Sequence, residues 1–248
     1  MDILNDNQLL RYSRHLLLPG MDFDGQLKLI ESKILVIGMG GLGNACAPYL
    51  ASSGVGEITI VDDDLIELSN LQRQILYTEH DLNQPKAEIA GRRLASINPD
   101  CKVRTLVKRL NDTELALEIA HHNVVVDCSD NLETREQVNR LCFSHKTPLV
   151  SGAAVRFEGQ VSTFNYHATS ACYRCLSQQI GSQSLNCAES GILAPIVGII
   201  GTIQATEAIK ACTAIGQTLD NRLLMVDGKT MEVREFKLNK HPDCSVCG

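Results

Sequence analysis

The chain has 248 residues, 44% of them hydrophobic and 21% charged, with a net charge of −6. These values fit one large α/β domain of a globular protein, and the acidic balance excludes the basic footprint of a nucleic-acid binder. The N-terminus lacks the basic start and unbroken apolar stretch of a signal peptide, and the most apolar segment, residues 191–201, soon meets Thr202, Gln204, Glu207 and Lys210, so no membrane span and a cytoplasmic location are expected.

Helical spacing predicts a first helix in NQLLRYSRHLLL and a second in DGQLKLIES. Strand KILVI then leads into a glycine loop and a helix that ends at Gly54 and Gly56. Strand EITIVD is followed by an irregular stretch over 63–81. The next helix opens with Pro85 at its first position and ends before Asn98-Pro99. Strand KVRTLV, helix DTELALEIAH, strand NVVVDCSD, helix LETREQVNRLCFSH and strand PLVSGAA complete an alternation. Such alternation predicts a Rossmann-like, mostly parallel sheet with helices on both faces.

The pattern then changes. GQVSTFNYH alternates as a strand, and RLLMVDG with TMEVREFKL predicts a hairpin turning at Asp227-Gly228. Between them lie a loop over 176–190 and a helix after Pro195. The expected organisation is one domain, residues 1–248. Its nucleotide-binding part covers about 1–150, and an antiparallel C-terminal half-sheet with a metal site covers about 151–248.

Gly38, Gly40 and Gly43 fit G-x-G-x-x-G between a strand and a helix, which points to a nucleotide phosphate on a helix N-terminus. Asp62, at the end of the next strand, stands where a ribose-binding acid belongs. The motif fits NAD as well as ATP. SNLQRQ (69–74) brings Asn70, Arg73 and Gln74 near the ligand, and Lys86 opens the following helix. A cation in a first helical turn opposes the dipole unless it faces an anion, although a solvated lysine is the common case. Several cations suit an ATP cleaved at its α-phosphate better than a dinucleotide. VVVDCSDN places Asp127 and Asp130 at a strand's C-terminal edge. Asp130 is expected to hold Mg²⁺ and Asp127 to serve the local structure, the alternative being a helix cap.

Cys172 and Cys175 in CYRC, with Cys244 and Cys247 in CSVC, form two C-x-x-C pairs. Four thiolates favour a closed, structural Zn²⁺ site; a redox dithiol is the alternative. Cys187 stands alone in a polar loop, a candidate reactive thiol or a bystander. Cys46, Cys101, Cys128, Cys142 and Cys212 fall in or beside regular elements and read as packing.

The order GMGGLG, VDDD, SNLQRQ, PK, DCSDN, CYRC, GTIQATEAIK and CSVCG resembles the MoeB/ThiF/HesA family, prokaryotic relatives of ubiquitin-activating enzymes. The likeness runs from the first helix to the last glycine. MDFDGQ and VSGAAVRFEGQ look like its molybdopterin-pathway branch; the thiamine-pathway branch is nearly as similar elsewhere. The resemblance implies adenylation of the C-terminal Gly-Gly carboxylate of a small ubiquitin-like sulfur carrier by Mg-ATP. It places Gly41 and its neighbours against the nucleotide and Asp62 on the ribose. Ser69, Asn70, Leu71, Gln72, Arg73 and Lys86 lie along the nucleotide, with Asp130 and Asn131 opposite. It further implies that Arg14 reaches into a partner subunit's site, hence a homodimer, and that Cys187 matches a loop cysteine some members use covalently. No rhodanese-like segment follows Gly248, so a separate sulfur donor is expected. An NAD-dependent oxidoreductase, a non-catalytic zinc-bearing adaptor and a tRNA-modifying sister enzyme are the rival readings.

Overall fold

Strand β1 (Lys33–Ile37) is a run of apolar residues with both faces covered, as a central parallel strand must be. The computed structural model describes residues 4–180 and 190–248; Cys187 lies outside them. Around β1 stand β2 (Glu57–Val61), β3 (Lys102–Leu106), β4 (Val124–Asp127), β5 (Leu149–Val155), β6 (Glu158–Phe164), β7 (Arg222–Asp227) and β8 (Glu232–Lys237). They form one eight-stranded sheet in the order β3-β2-β1-β4-β5-β6-β7-β8. The first five strands are parallel and the last three run antiparallel. The expected parallel core and antiparallel extension are both present, fused into a continuous sheet.

Side-chain alternation along the strands builds two cores. On one face Ile34, Val36, Ile58, Ile60, Val124 and Val126 meet α3 (Asp22–Glu31), α4 (Gly41–Ser52), α5 (Lys86–Ile97) and α9 (Ala194–Thr213). On the other face Leu35, Ile37, Val61 and Val125 meet α6 (Asp112–Ala120), α7 (Leu132–His145) and α8 (Tyr173–Ile180). Each such side chain contributes about 1.5–3 kcal/mol when fully buried.

Three details differ from the sequence reading. The first predicted helix is two short ones, α1 (Asp6–Arg11) and α2 (Ser13–Leu16), parted at Tyr12. Tyr12 is buried and its hydroxyl is held by Asn98, so tertiary packing breaks the run. Pro85 is the N-cap of α5 rather than its first helical residue. The start of the predicted loop 176–190 is helical, because α8 continues the turn that begins at Cys172. The β7–β8 hairpin turns at Asp227-Gly228 as expected, through a connection spanning 228–231. There the Gly228 N–H donates to Phe157 O (2.7 Å), and Met231 takes the positive φ of +58°.

Candidate active site

The parallel strand order reverses between β1 and β4, and a cavity of about 390 Å³ opens at their C-terminal ends. The loop after β1 forms its floor. Gly38 has φ +91°, and an added Cβ would meet Cys128 O at 3.0 Å. Gly43 packs so tightly on the Gly38 carbonyl that a side chain would overlap it. Gly40 is the N-cap of α4, and a Cβ there would find only Gln74 Nε2, 3.8 Å away. The first turn of α4 therefore presents its free N–H groups to the cavity.

Asp62 fixes this loop. Its carboxylate accepts from Met39 N (2.6 Å) and from Asp64 N (2.9 Å). Burial raises its pKa, while the Met39 N–H and the charge of Lys86 oppose that shift. Each carboxylate oxygen keeps a further lone pair for a ligand hydroxyl. Tyr77 ties the loop to α5, donating to Met39 O (3.0 Å) and Lys86 O (3.2 Å).

Lys86 is the first residue of α5 and lines the cavity. Its Nζ donates to Asp64 Oδ2 at 2.7 Å; the lysine side chain is 7% exposed and the aspartate 65%. An anion entering the cavity can replace that solvated partner without leaving a buried charge behind. Asn70 is buried at the end of a 3₁₀ turn and accepts from Glu67 N (3.1 Å). Arg73 donates to Ser69 O (3.0 Å) and forms no ion pair among the described residues. Its charge is thus free for a ligand.

The two aspartates after β4 differ sharply. Asp127 is fully buried; it accepts from Ser129 N (3.0 Å) and Ser129 Oγ (2.6 Å), and burial raises its pKa. It serves the local structure, as expected. Asp130 is exposed at the cavity wall, and no hydrogen bond or ion pair engages it among the described residues. Asn131, not either aspartate, caps α7 by accepting from Thr134 N (2.9 Å). A free carboxylate beside an open helix N-terminus is a donor set that fits Mg²⁺.

Of the residues singled out in the sequence, Gly38, Gly40, Gly41, Asp62, Asn70, Arg73, Gln74, Lys86, Asp130 and Asn131 come together around this cavity. Gly43 supports its floor from behind. Ser69, Leu71 and Gln72 lie outside the lining: Ser69 donates to Glu67 (3.2 Å), Leu71 packs on the first core, and Gln72 donates to Ile192 O (3.2 Å). Arg14, on α2, is exposed and outside the lining. Lys108, Arg109 and Arg135 also line the cavity and were not singled out. Lys108 and Arg109 follow β3 at the same sheet edge, and only the strand order brings them to the cavity.

The four paired cysteines meet on the second face. Their Sγ atoms all lie within 4.8 Å of one another and all four residues are buried. The Cys172–Cys244 and Cys175–Cys247 sulfurs are 3.7 and 3.5 Å apart. A tetrahedron with Zn–S bonds of about 2.3 Å has edges of about 3.8 Å, so the cluster fits Zn²⁺. His241 N donates to Cys175 Sγ (3.4 Å) and Asn139 Nδ2 to Cys172 Sγ (3.7 Å). With four protein ligands such a site has no open position and is structural. The other described cysteines are buried or half-buried; burial raises the thiols of Cys101 to about 12 and of Cys212 to about 11, which leaves them inert.

Residues 12–246 match the ThiF family. The chain belongs to that family. Among ThiF-family relatives, molybdopterin-synthase adenylyltransferase of Escherichia coli K12 is 47% identical over 245 residues, spanning 99% of this chain and 98% of that protein. Sulfur carrier protein ThiS adenylyltransferase of the same organism is 42% identical over 99% of this chain and 97% of its own length. E. coli MccB, crystallised with ATP, superposes with a TM-score of 0.85 at 25% identity, covering 98% of this chain and 75% of that one. The ThiF-family cavity described above therefore sits on a fold already seen with ATP. No helix among the described residues is long and apolar enough to cross a membrane.

Proposed function

We propose that this chain adenylates the C-terminal glycine carboxylate of a small ubiquitin-like sulfur carrier protein, in the cytoplasm, for molybdopterin cofactor biosynthesis. The observation that carries this reading is convergence on one cavity of the α4 N-terminus, Arg73, Lys86 and the free carboxylate of Asp130. Molybdopterin-synthase adenylyltransferases from three bacteria, 46–50% identical over nearly the whole chain, name the reaction class and support the pathway.

In the reaction a carboxylate oxygen of the carrier attacks the α-phosphorus of ATP. The bond from that phosphorus to the bridging oxygen breaks, and pyrophosphate leaves with the electron pair. The nucleophile belongs to the substrate, so the protein supplies position and charge. Gly38, Gly40 and Gly41 let the phosphates approach the α4 N–H groups, and Asp62 accepts from the ribose hydroxyls. Asn70, Arg73 and Lys86 hold phosphate oxygens as charge builds on the transferring group and on pyrophosphate. Asp130, with Asn131 beside it, would hold Mg²⁺, which supplies further charge neutralisation when bound. Arg14 completes the site of a second copy in a homodimer, where it reaches the departing phosphates. The sulfur that later replaces AMP comes from a separate donor protein.

Arg73, Lys86 and Asp130 around one nucleotide suit an ATP cleaved at its α-phosphate better than NAD. The thiamine-pathway carrier is a second reading, favoured by the 42% identity to the ThiS enzyme over nearly the whole chain. ATP–pyrophosphate exchange with Mg²⁺ and each carrier in turn separates the two. Exchange with the molybdopterin carrier, lost when its last glycine is removed, is expected. Silence with every carrier from folded, zinc-loaded protein would overturn the proposal.

A further inference from the structure

Among the described residues two buried side-chain polar atoms have no hydrogen-bond partner, Gln74 Oε1 and Arg174 Nε. Arg174 is otherwise engaged, since its Nη1 donates to Glu136 (3.2 Å). Gln74 is not. It is 2% exposed, lines the nucleotide cavity beside Arg73, and holds its Nε2 near the open side of Gly40. Its backbone is pinned: Gln74 N donates to Asn70 O (3.0 Å), and its carbonyl accepts from Tyr77 N (3.1 Å). A buried acceptor without a donor costs stability that an apolar side chain of the same length would not. A carboxamide kept at the wall of a reactive cavity on those terms points to a ligand.

The chemistry of the orphan atom narrows the ligand. Oε1 only accepts, and so do phosphate and carboxylate oxygens at neutral pH. Neither the phosphates of ATP nor the reacting carboxylate can satisfy it. The donors left among the reactants are the ribose hydroxyls, the adenine amino group and the peptide N–H groups of the carrier's tail. Asp62 already answers the ribose. The apolar wall that suits a base, Ile37, Val61, Leu110 and Leu115, belongs to the second core of the sheet. Gln74 lies on the opposite side, between Leu71 and Tyr77 of the first core. Ala154 and Val197 of the first core also line the cavity, and the neighbouring Gln72 is tied to Ile192.

We infer that the Gln74 carboxamide receives a peptide group of the carrier's glycine tail, Oε1 accepting its N–H. The inference rests on the adenylation reading. A turn about the terminal χ angle, a soft torsion, brings Oε1 from its buried position to the tail. Gln74 then orients the attacking carboxylate over the phosphate.

Two variants test it, Gln74→Met and Gln74→Asn, each compared with the wild type by exchange kinetics, ATP titration and thermal denaturation. In Gln74→Met the KM for the carrier is expected to rise about tenfold, the loss of roughly one or two hydrogen bonds. Its ATP affinity should stay within about twofold, and its Tm should hold or rise as the orphan acceptor is removed. Gln74→Asn keeps the amide one carbon too short, so it should raise the carrier KM without gaining stability. An unchanged carrier KM in both variants would overturn the inference. So would an ATP affinity that falls in step with exchange, which marks a nucleotide contact, or a Tm that falls by several degrees in both, which marks a packing role. A wild type that is silent with every carrier removes the adenylation reading, and this inference with it, before any variant is compared.

Discussion

Gly38 and Gly40 sit two residues apart in the same loop, yet alanine should act on them in opposite ways. At Gly38 the backbone holds φ at +91°, and the new Cβ would press on Cys128 O at 3.0 Å. The left-handed conformation costs an L-residue roughly 1–2 kcal/mol, and the tight contact adds about 1 kcal/mol. The smaller conformational freedom of the unfolded chain returns about 0.4–1 kcal/mol. The net loss is about 2 kcal/mol, or about 4–8 °C in Tm for a domain of this size. If the loop instead relaxes, Met39 N leaves Asp62 (2.6 Å) and the first turn of α4 is re-aimed. At Gly40 the backbone is ordinary, φ −71° and ψ −153°, and a methyl meets nothing closer than 3.8 Å. Gly40→Ala should therefore keep the wild-type Tm within about 1–2 °C. Its methyl, however, occupies the space through which phosphate reaches the helix N-terminus, so ATP affinity should fall by about tenfold or more. Thermal denaturation with and without ATP, together with ATP titration, reads both effects. A Gly40→Ala protein that binds ATP normally, or a Gly38→Ala protein with unchanged Tm, would refute the loop assignment.

Asp130→Ala should abolish pyrophosphate exchange while leaving Tm nearly unchanged, because the carboxylate makes no contact that folding needs; exchange at the wild-type rate would remove its assigned role. Chelation of zinc, or Cys244→Ser, should lower Tm and release the C-terminal segment to protease, read by limited proteolysis alongside metal analysis. Lys86→Met should cost exchange far more than stability, since its partner Asp64 is solvated; comparing kinetics with Tm separates the two. Burial lowers the pKa of His122, whose Nε2 meets Thr59 Oγ1 (2.9 Å). The unfolded chain takes up that proton near pH 6.5 and the native state only at lower pH, so stability should be lost as pH falls below about 6.5. Wild type should lose more Tm than His122→Gln between about pH 7.5 and 5.5; equal losses would contradict the burial.

The parts of the site legible in the sequence are those held by local chain chemistry. An apolar run, three glycines and a helix pattern specify the loop of Gly38 to Gly43, because sterics at Gly38 and Gly43 allow few other residues there. The two C-x-x-C pairs declare a four-thiolate site whatever fold brings them together. Lys108, Arg109 and Arg135 reach the cavity only because β3 and β4 run parallel to β1, and strand order is not written in any one segment. The Asp227-Gly228 signal is borne out as well, since β7 and β8 join there as a hairpin. Gly228 opens that turn and is crowded by Phe157 and Ile196, which leave no room for a side chain. The first helix broke at Tyr12 since its hydroxyl is fixed by Asn98, a partner far along the chain. Local signals named most residues of the proposed phosphate site; tertiary contacts brought the cavity its other cations.

The zinc cluster and the nucleotide cavity are joined through one helix. At its N-terminus α7 carries Asn131, the residue after Asp130, and Arg135, whose guanidinium donates to Ser129 O at 2.7 Å. Two turns on, Asn139 is buried; its Oδ1 accepts from Tyr173 N (2.9 Å) and its Nδ2 faces Cys172 Sγ. Glu136, between them, takes Ser177 Oγ (2.7 Å) and Arg174 from α8. The cysteines thus hold α8, α8 holds the middle of α7, and α7 sets where the Asp130 loop meets the cavity. A closed metal site performs no chemistry of its own, but here its rigidity reaches a carboxylate with no other support. Such a carboxylate must find its position from the backbone, and the backbone beneath it is fixed from the zinc side of the sheet.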